Sequence, residues 1–289
     1  MPTLFCFGLG YSAAALAGKL AHEGWHVAAT STTPAGQDRI ARLGYDAFLF
    51  DGSAPGVGIP RALETATHVV VSAPPGPDGD PVLRHHAADL SRSRSLLQIA
   101  YLSTIGVYGD WGGAWVDETS PLKPRSERSL RRAAAEHAWL DHAAATGQRA
   151  IIFRLAGIYG PGRSAVDNIL DGTARRVIKQ GQVFNRIHRD DIVGVLQAAI
   201  ARTPGFDIYN VTDDEPAPPQ DVIAFAADLL GRPLPPAIPF EEANMSPMGA
   251  SFYAENKRAS NARAKADLGW TLQYPTYREG MAAIARAAT

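Results

Sequence analysis

The chain has 289 residues, with 28 Lys and Arg against 29 Asp and Glu and 46% apolar side chains. That much apolar material excludes a disordered chain or a coiled coil. A net charge of -1 provides no global field to draw the protein onto nucleic acid or an anionic membrane, so any anion site has to be local.

The single cysteine, Cys6, excludes an intrachain disulfide, and no Cys/His cluster has zinc spacing, so no metal is expected. His85 and His86 are adjacent and would point to different sides of a helix. The first residues, Met1 to Gly8, carry no basic region and run straight into strand-like sequence, which speaks against a signal peptide. No apolar run approaches the ~20 residues needed to span a bilayer. The expectation is a cytoplasmic protein, monomer or homodimer, with neither nucleic acid nor membrane as partner.

In chain order, Thr3–Phe7, His26–Thr30, Tyr45–Phe50, His68–Ser72, Ile99–Ser103 and Arg149–Leu155 read as short strands, mostly free of charge, as strands covered on both faces should be. Between them, Ser12–Glu23, Gly36–Leu43, Pro60–Thr65, Pro81–Gln98 and Ser126–Ala145 read as helices. This alternation predicts an α/β fold, a Rossmann-type doubly wound parallel sheet. The segment 106–123 is too long for a simple connector. After Tyr159-Gly-Pro-Gly162 the pattern changes, and seven prolines fall between Pro216 and Pro239. A helical run, Asp190–Ala201, interrupts that region. The expected division is a dinucleotide-binding domain over 1–160, with 188–206 returning to it, and a smaller C-terminal substrate lobe over 161–289. A cleft is expected between them at the carboxyl ends of the strands.

The first strand runs into Gly8-Leu-Gly10-Tyr11-Ser12-Ala13 and then an alanine-rich helix. Gly8 can make the tight turn, Gly10 lets the backbone approach a pyrophosphate, and Ala13 permits close helix–strand packing. The phosphates would rest on the free N–H groups at the helix start near Tyr11 and Ser12. At the end of the second strand stand Ser31 and Thr32 rather than a carboxylate, with Arg39 nearby. A carboxylate there would repel a 2′-phosphate, so NADP is the chosen cofactor and NAD the alternative; the hydroxyls also fit helix capping. Asp51-Gly52 ends the third strand, where an acidic group would meet the adenine. Ala73-Pro74-Pro75 ends the fourth and would run past the ribose. Both segments are equally compatible with turn chemistry.

These landmarks are joined by Tyr101-Leu-Ser-Thr104-Ile-Gly-Val-Tyr108-Gly, by Arg154-Leu-Ala-Gly-Ile-Tyr159-Gly-Pro-Gly, and by Ile187-His188-Arg-Asp-Asp191. Tyr209-Asn-Val211, Lys257-Arg258-x-Ser260-Asn261 and Leu268-Gly-Trp270 complete the set. Together they resemble the extended short-chain dehydrogenase/reductase superfamily of NAD-dependent epimerases and dehydratases over nearly the whole length. The resemblance implies a Ser/Thr, Tyr and Lys that exchange a proton with the reacting hydroxyl, Tyr and Lys lying four residues apart on one helix. Thr104 takes the Ser/Thr place. The Tyr position is Arg128 and the Lys position Arg132, which is similar to an atypical, YeeZ-like branch.

A guanidinium stays protonated and cannot replace a phenol as base. Arg128 and Arg132 read instead as an anion clamp, or as a pair neutralised by Glu136 and solvent, while Glu127 can reach Arg131. Tyr108, Arg163 and His188 are the candidate substrate contacts, although strand-exit, surface and turn roles also suit them. Tyr159 has the same strand-exit reading. Trp111 and Trp115 suit either substrate stacking or packing of their loop. His137, with Leu130, Ala134 and Leu140, reads as helix packing. The expected ligand is a small, anionic molecule such as a nucleotide sugar. The functional expectation is an NAD(P)-dependent oxidoreductase or epimerase-like enzyme, the alternative a non-catalytic dinucleotide sensor.

Overall fold

Short buried strands alternate with amphipathic helices through the first half of the chain, and the computed structural model describes residues 1–288. The elements begin β1 (Thr3–Phe7), α1 (Tyr11–His22), β2 (His26–Ser31), α2 (Pro34–Arg42) and β3 (Asp46–Leu49). Next come α3 (Ile59–Thr65), β4 (His68–Val71), α4 (Pro81–Arg92), β5 (Gln98–Thr104), β6 (Trp115–Val116) and α5 (Glu127–Thr146). The middle of the chain forms β7 (Ala150–Leu155), β8 (Gly157–Tyr159), α6 (Ala165–Leu170), β9 (Arg176–Ile178), β10 (Arg186–His188) and α7 (Arg189–Ala201). The remainder is β11 (Ile208–Val211), α8 (Pro219–Leu229), β12 (Ala237–Pro239), α9 (Pro247–Tyr253), β13 (Arg258–Ala259), α10 (Ala262–Leu268) and α11 (Tyr277–Ala288).

The described residues divide into two compact units, 1–104 with 127–154 and 196–209, and 105–126 with 155–195 and 210–288. In the first, seven strands form one sheet in the order β11-β7-β5-β4-β1-β2-β3, and β3, β2, β1, β4 and β5 run parallel. The order reverses at β1 and β4, the point where open α/β sheets leave a crevice at their carboxyl ends. Phe5, Phe7, Phe50, Val69, Val71, Tyr101 and Trp139 fill the core against α3, α4 and α5. Each fully buried large side chain of this kind contributes about 1.5–3 kcal/mol.

Two helices depart from the sequence pattern. The run predicted as helix to Gln98 stops at Arg92, where Ser93 takes an extended cap and donates its Oγ to the Leu63 carbonyl at 2.7 Å. Ser95 donates to the Glu64 carbonyl, so the chain is pinned to the end of α3 and turned into β5. On α5 the buried face is Ser129, Ala133, Ala135, Glu136 and Trp139. His137 and Ala134 are exposed and Leu130 is 51% exposed, so the packing role expected for His137 is corrected. Its Nδ1 donates to the Ala133 carbonyl one turn back. The helix is rotated because its buried face carries a charge, Glu136, that an apolar count passes over.

The second unit is held by short parallel pairs, β8 with β10, β9 with β12, and β6 with β13. Its core gathers Tyr159, Val166, Val222, Ala226, Tyr277, Met281 and Ile284. The long 106–123 segment is strapped down rather than loose. Trp111 and Gly113 donate their N–H groups to the Asn256 carbonyl, and Lys123 lies 3.7 Å over the Trp111 ring.

Candidate functional site

The turn after β1 lies at the strand-order reversal. Gly8 has φ +85°, a conformation glycine adopts freely. Its N–H donates to Thr30 Oγ1 at 2.8 Å, and Ser72 Oγ donates to its carbonyl at 2.7 Å. The ends of β2 and β4 thus fix the turn from both sides. A Cβ on Gly8 would sit 2.9 Å from Ser72 Oγ, which leaves no room for a side chain.

Gly10 begins α1 differently. A Cβ built there meets no heavy atom within 4 Å, and α1 has neither a side-chain cap nor an acidic residue in its first turn. By contrast, Thr33 caps α2 and Asp80 caps α4. An uncapped helix start presents its N–H groups and positive end to an anion. Ser12, 6% exposed, leaves its Oγ without a partner among the described residues. Open space over Gly10, a helix start without a side-chain cap and an unspent buried hydroxyl fit the pyrophosphate of a dinucleotide. Ala13, 1% exposed, is the small residue that lets α1 pack closely, and Tyr11 is half-buried at its first position.

Around this turn the other cofactor candidates are distributed unevenly. Ser31 Oγ accepts from Thr33 N–H at 3.2 Å, while Thr32 is exposed. Arg39 is exposed in the last turn of α2, away from its start. Asp51 forms an Asx turn, accepting from Ser53 N–H and Oγ at 2.9 and 2.6 Å. Those bonds hold its carboxyl below the usual carboxylate range. Gly52 has φ +84° and abuts Pro81. Ala73 N–H donates to the Phe7 carbonyl and leads into Pro74 and Pro75 beside the glycine turn.

Thr104 closes β5 and is half-buried. Arg128 is exposed in the first turn of α5. Arg132, one turn further on, is half-buried; its Nη1 donates to the Leu102 carbonyl and the Tyr101 hydroxyl, each at 3.0 Å. Glu136 is not its counterion, contrary to one of the sequence expectations. That carboxylate is 1% exposed and belongs to Arg154, 3% exposed on β7, with Nη2 to Oε2 at 2.7 Å and Nε to Oε2 at 3.0 Å. Ser103 Oγ also donates to it. Glu127 does pair with Arg131, at 2.8 Å. The buried Glu136–Arg154 pair ties β5, β7 and α5 together immediately before Thr104. Sequence reasoning missed it because its members lie 18 positions apart.

The second unit holds the remaining candidates. Tyr108 is fully buried and donates its hydroxyl to Asn210 Oδ1 at 2.8 Å. Arg163 is exposed in a tight turn bonded both ways to Gly160. His188 ends β10 at 1% exposure, its ring 4.1 Å from that of Tyr274 and 5.1 Å from that of Tyr159. Its Nδ1 accepts from Asp190 N–H at 3.2 Å, so the neutral ring carries its proton on Nε2. Burial pushes its pKa down to about 4, which keeps it neutral near pH 7. Trp115 is 59% exposed.

Asp213, just beyond β11, is 2% exposed, and burial pushes its carboxyl up to about 8. A carboxyl raised on folding stabilises the protein fully below its unfolded pKa, and that contribution is lost as pH rises through the folded value. Asp191, raised to about 6 by burial, adds the same sign of slope over a lower range. Asp213→Asn is therefore expected to gain thermal stability over the parent progressively from pH 5 to pH 8. Thermal denaturation at several pH values checks this, and parallel curves would refute it.

Residues 83–211 match the NAD dependent epimerase/dehydratase family. A conserved protein of unknown function from Silicibacter pomeroyi DSS is 45% identical over 100% of this chain and 99% of its own, with a TM-score of 0.89. Protein YeeZ of Escherichia coli (strain K12) is 28% identical over 278 residues, 93% of this chain and 94% of YeeZ. A UDP-glucuronic acid 4-epimerase from Bacillus cereus, solved with UDP-glucuronic acid and NAD, shares the fold: TM-score 0.75, 17% identity, all of both chains covered. The family match thus covers the stretch from α4 to β11, while the likeness to YeeZ extends over nearly the whole chain. Among the described residues no helix is long and apolar enough to cross a membrane, and no cluster of acidic, His or Cys side chains is placed to hold a metal.

Proposed function

We propose that the chain binds NADP(H) on the Gly8–Ala13 turn and is an oxidoreductase or epimerase-like enzyme for an anionic substrate, a nucleotide sugar being the leading class. The observation that carries this reading is the uncapped start of α1 beneath an open Gly10, with Ser12 Oγ unspent. The match of residues 83–211 to the NAD dependent epimerase/dehydratase family supports a nicotinamide dinucleotide, and the nucleotide-sugar ligand of the Bacillus cereus enzyme supports the substrate class. Ser31 and Thr32 favour NADP because no carboxylate stands there to repel a 2′-phosphate. NADPH is expected to bind more tightly than NADH by calorimetry; equal affinities would reject the choice.

In this reading Thr104 bonds the reacting oxygen, and Arg128 with Arg132 holds an anionic group of the substrate. Among the described residues, Arg132 spends only Nη1 on protein acceptors. No guanidinium serves as a base near neutral pH, and general-base help is worth about 10²–10⁴-fold in rate. Turnover of UDP-glucose by 4-epimerisation is therefore expected to be slower than in Tyr/Lys enzymes by that factor. A rate ordinary for such enzymes, followed by coupled product assay, would refute the roles given to Arg128 and Arg132. The second reading, a dinucleotide sensor without turnover, is favoured by Arg128 standing at the phenol position. Hydride transfer from bound NADPH to any substrate in a stopped-flow screen excludes it.

A further inference from the structure

Arg186 and Asp213 are adjacent in the second unit and oppositely charged when both ionise, yet they do not pair. The Asp213 N–H donates to the Arg186 carbonyl at 2.7 Å, so their backbones touch. The half-buried guanidinium turns Nη1 to the Phe184 and Ala217 carbonyls, each at 3.0 Å. Asp213 accepts from Glu215 N–H through Oδ1, and its buried Oδ2 has no partner among the described residues. A guanidinium and a carboxylate on residues whose backbones touch are within reach of a bidentate pair. Here neither an ion pair nor a hydrogen bond joins the two side chains among the described residues.

Opposite Arg186 in the β8–β10 register stands Gly157, which has no side chain to pair with the guanidinium. When ionised, Asp213 acts most strongly on Arg186, ahead of the ionised phenols of Tyr277, Tyr159 and Tyr253. Asp213 in turn faces Arg186, Asp214 and Glu215, and acts on the Tyr159 phenol. Asp214 is neutralised by Lys265 at 2.5 Å and Glu215 by Arg278 at 3.1 Å, so neither competes for Arg186.

We propose that Arg186 and Asp213 together bind an oxyanion, the carboxylate or phosphoryl group of a small ligand, with Arg186 donating through Nε and Nη2 and the uncharged Asp213 carboxyl donating its proton. The carboxyl is uncharged through neutral pH because burial raises it to about 8. Ionised, it would repel the anion. The site uses no residue of α5 and does not rest on the dinucleotide or clamp readings; calorimetry with NADPH reads those separately.

Acetate and sulfate, whose charges stay constant between pH 6.5 and 9, are the probes for the carboxylate and phosphoryl sources. Titrated into the full chain by calorimetry, at least one is expected to bind saturably at pH 6.5. Which of them binds better identifies the source. One pH unit above the Asp213 value, affinity is expected to fall about tenfold. Arg186→Gln should abolish binding. Asp213→Asn keeps a donor without a titrating proton, so it should bind at pH 6.5 and lose the fall at pH 9. If Arg186→Gln fails to fold, Asp213→Asn alone carries the test. No saturable binding to the parent, unchanged binding in folded Arg186→Gln, or an undiminished fall at pH 9 in Asp213→Asn would each overturn the proposal.

Discussion

Gly10→Asp is expected to abolish dinucleotide binding while the protein stays folded. Gly10 has φ -79° and ψ -172°, extended backbone that an aspartate adopts without strain. Its Cβ would meet nothing within 4 Å, so no protein atom has to move. Aspartate is also among the best N-cap residues, and it would supply the cap that α1 lacks. Stability should hold or rise by about 1 kcal/mol. Binding should be lost because the new carboxylate occupies the space and the helix N–H groups that the pyrophosphate needs. Calorimetry with NADPH and a thermal melt on the same sample separate the two effects. A variant that binds like the parent would show that the dinucleotide is not held on this turn. A variant that merely unfolds would contradict the open space over Gly10.

The turn was legible in the sequence because every part of it is local: β1, two glycines, the start of α1 and a small Ala13 follow one another directly between Thr3 and Ala13. The start of α2 was legible for the same reason, since Thr33 and Pro34 carry cap and first-turn chemistry in adjacent positions. What escaped depends on partners far along the chain. The end of α4 is decided by Ser93 and Ser95 bonding back to Leu63 and Glu64 on α3. The buried face of α5 is decided by Arg154, and by Asp80, which accepts from Trp139 Nε1 at 3.2 Å. A helix that buries a glutamate looks polar there in sequence, so its apolar stripe points to the wrong side. Arg186 and Asp213 likewise meet through a single backbone hydrogen bond between distant segments, which no spacing announces. The glycine turn therefore reads from sequence, while the groups around Thr104 need the fold.

Glu136→Ala is expected to cost about 3–5 kcal/mol of stability, because it leaves the Arg154 guanidinium buried without its counterion. Arg154 is 3% exposed on β7 and directs both Nε and Nη2 at Glu136, so no solvent is at hand to replace the carboxylate. Ser103 loses its acceptor as well, and Ser103 precedes Thr104 directly. Replacing both charges by apolar groups of similar volume, Glu136→Leu with Arg154→Met, should recover most of the loss, since neither charge then has to be desolvated. Chemical denaturation of the parent, both single variants and the double variant measures the coupling as a cycle. A loss below about 1 kcal/mol in Glu136→Ala, the range of exposed ion pairs, would mean that the pair is not buried as described. The folded double variant has a further use. It keeps the glycine turn intact, so NADPH affinity should be unchanged, while any activity that depends on Thr104 should fall if Ser103 and Glu136 hold the end of β5 in place.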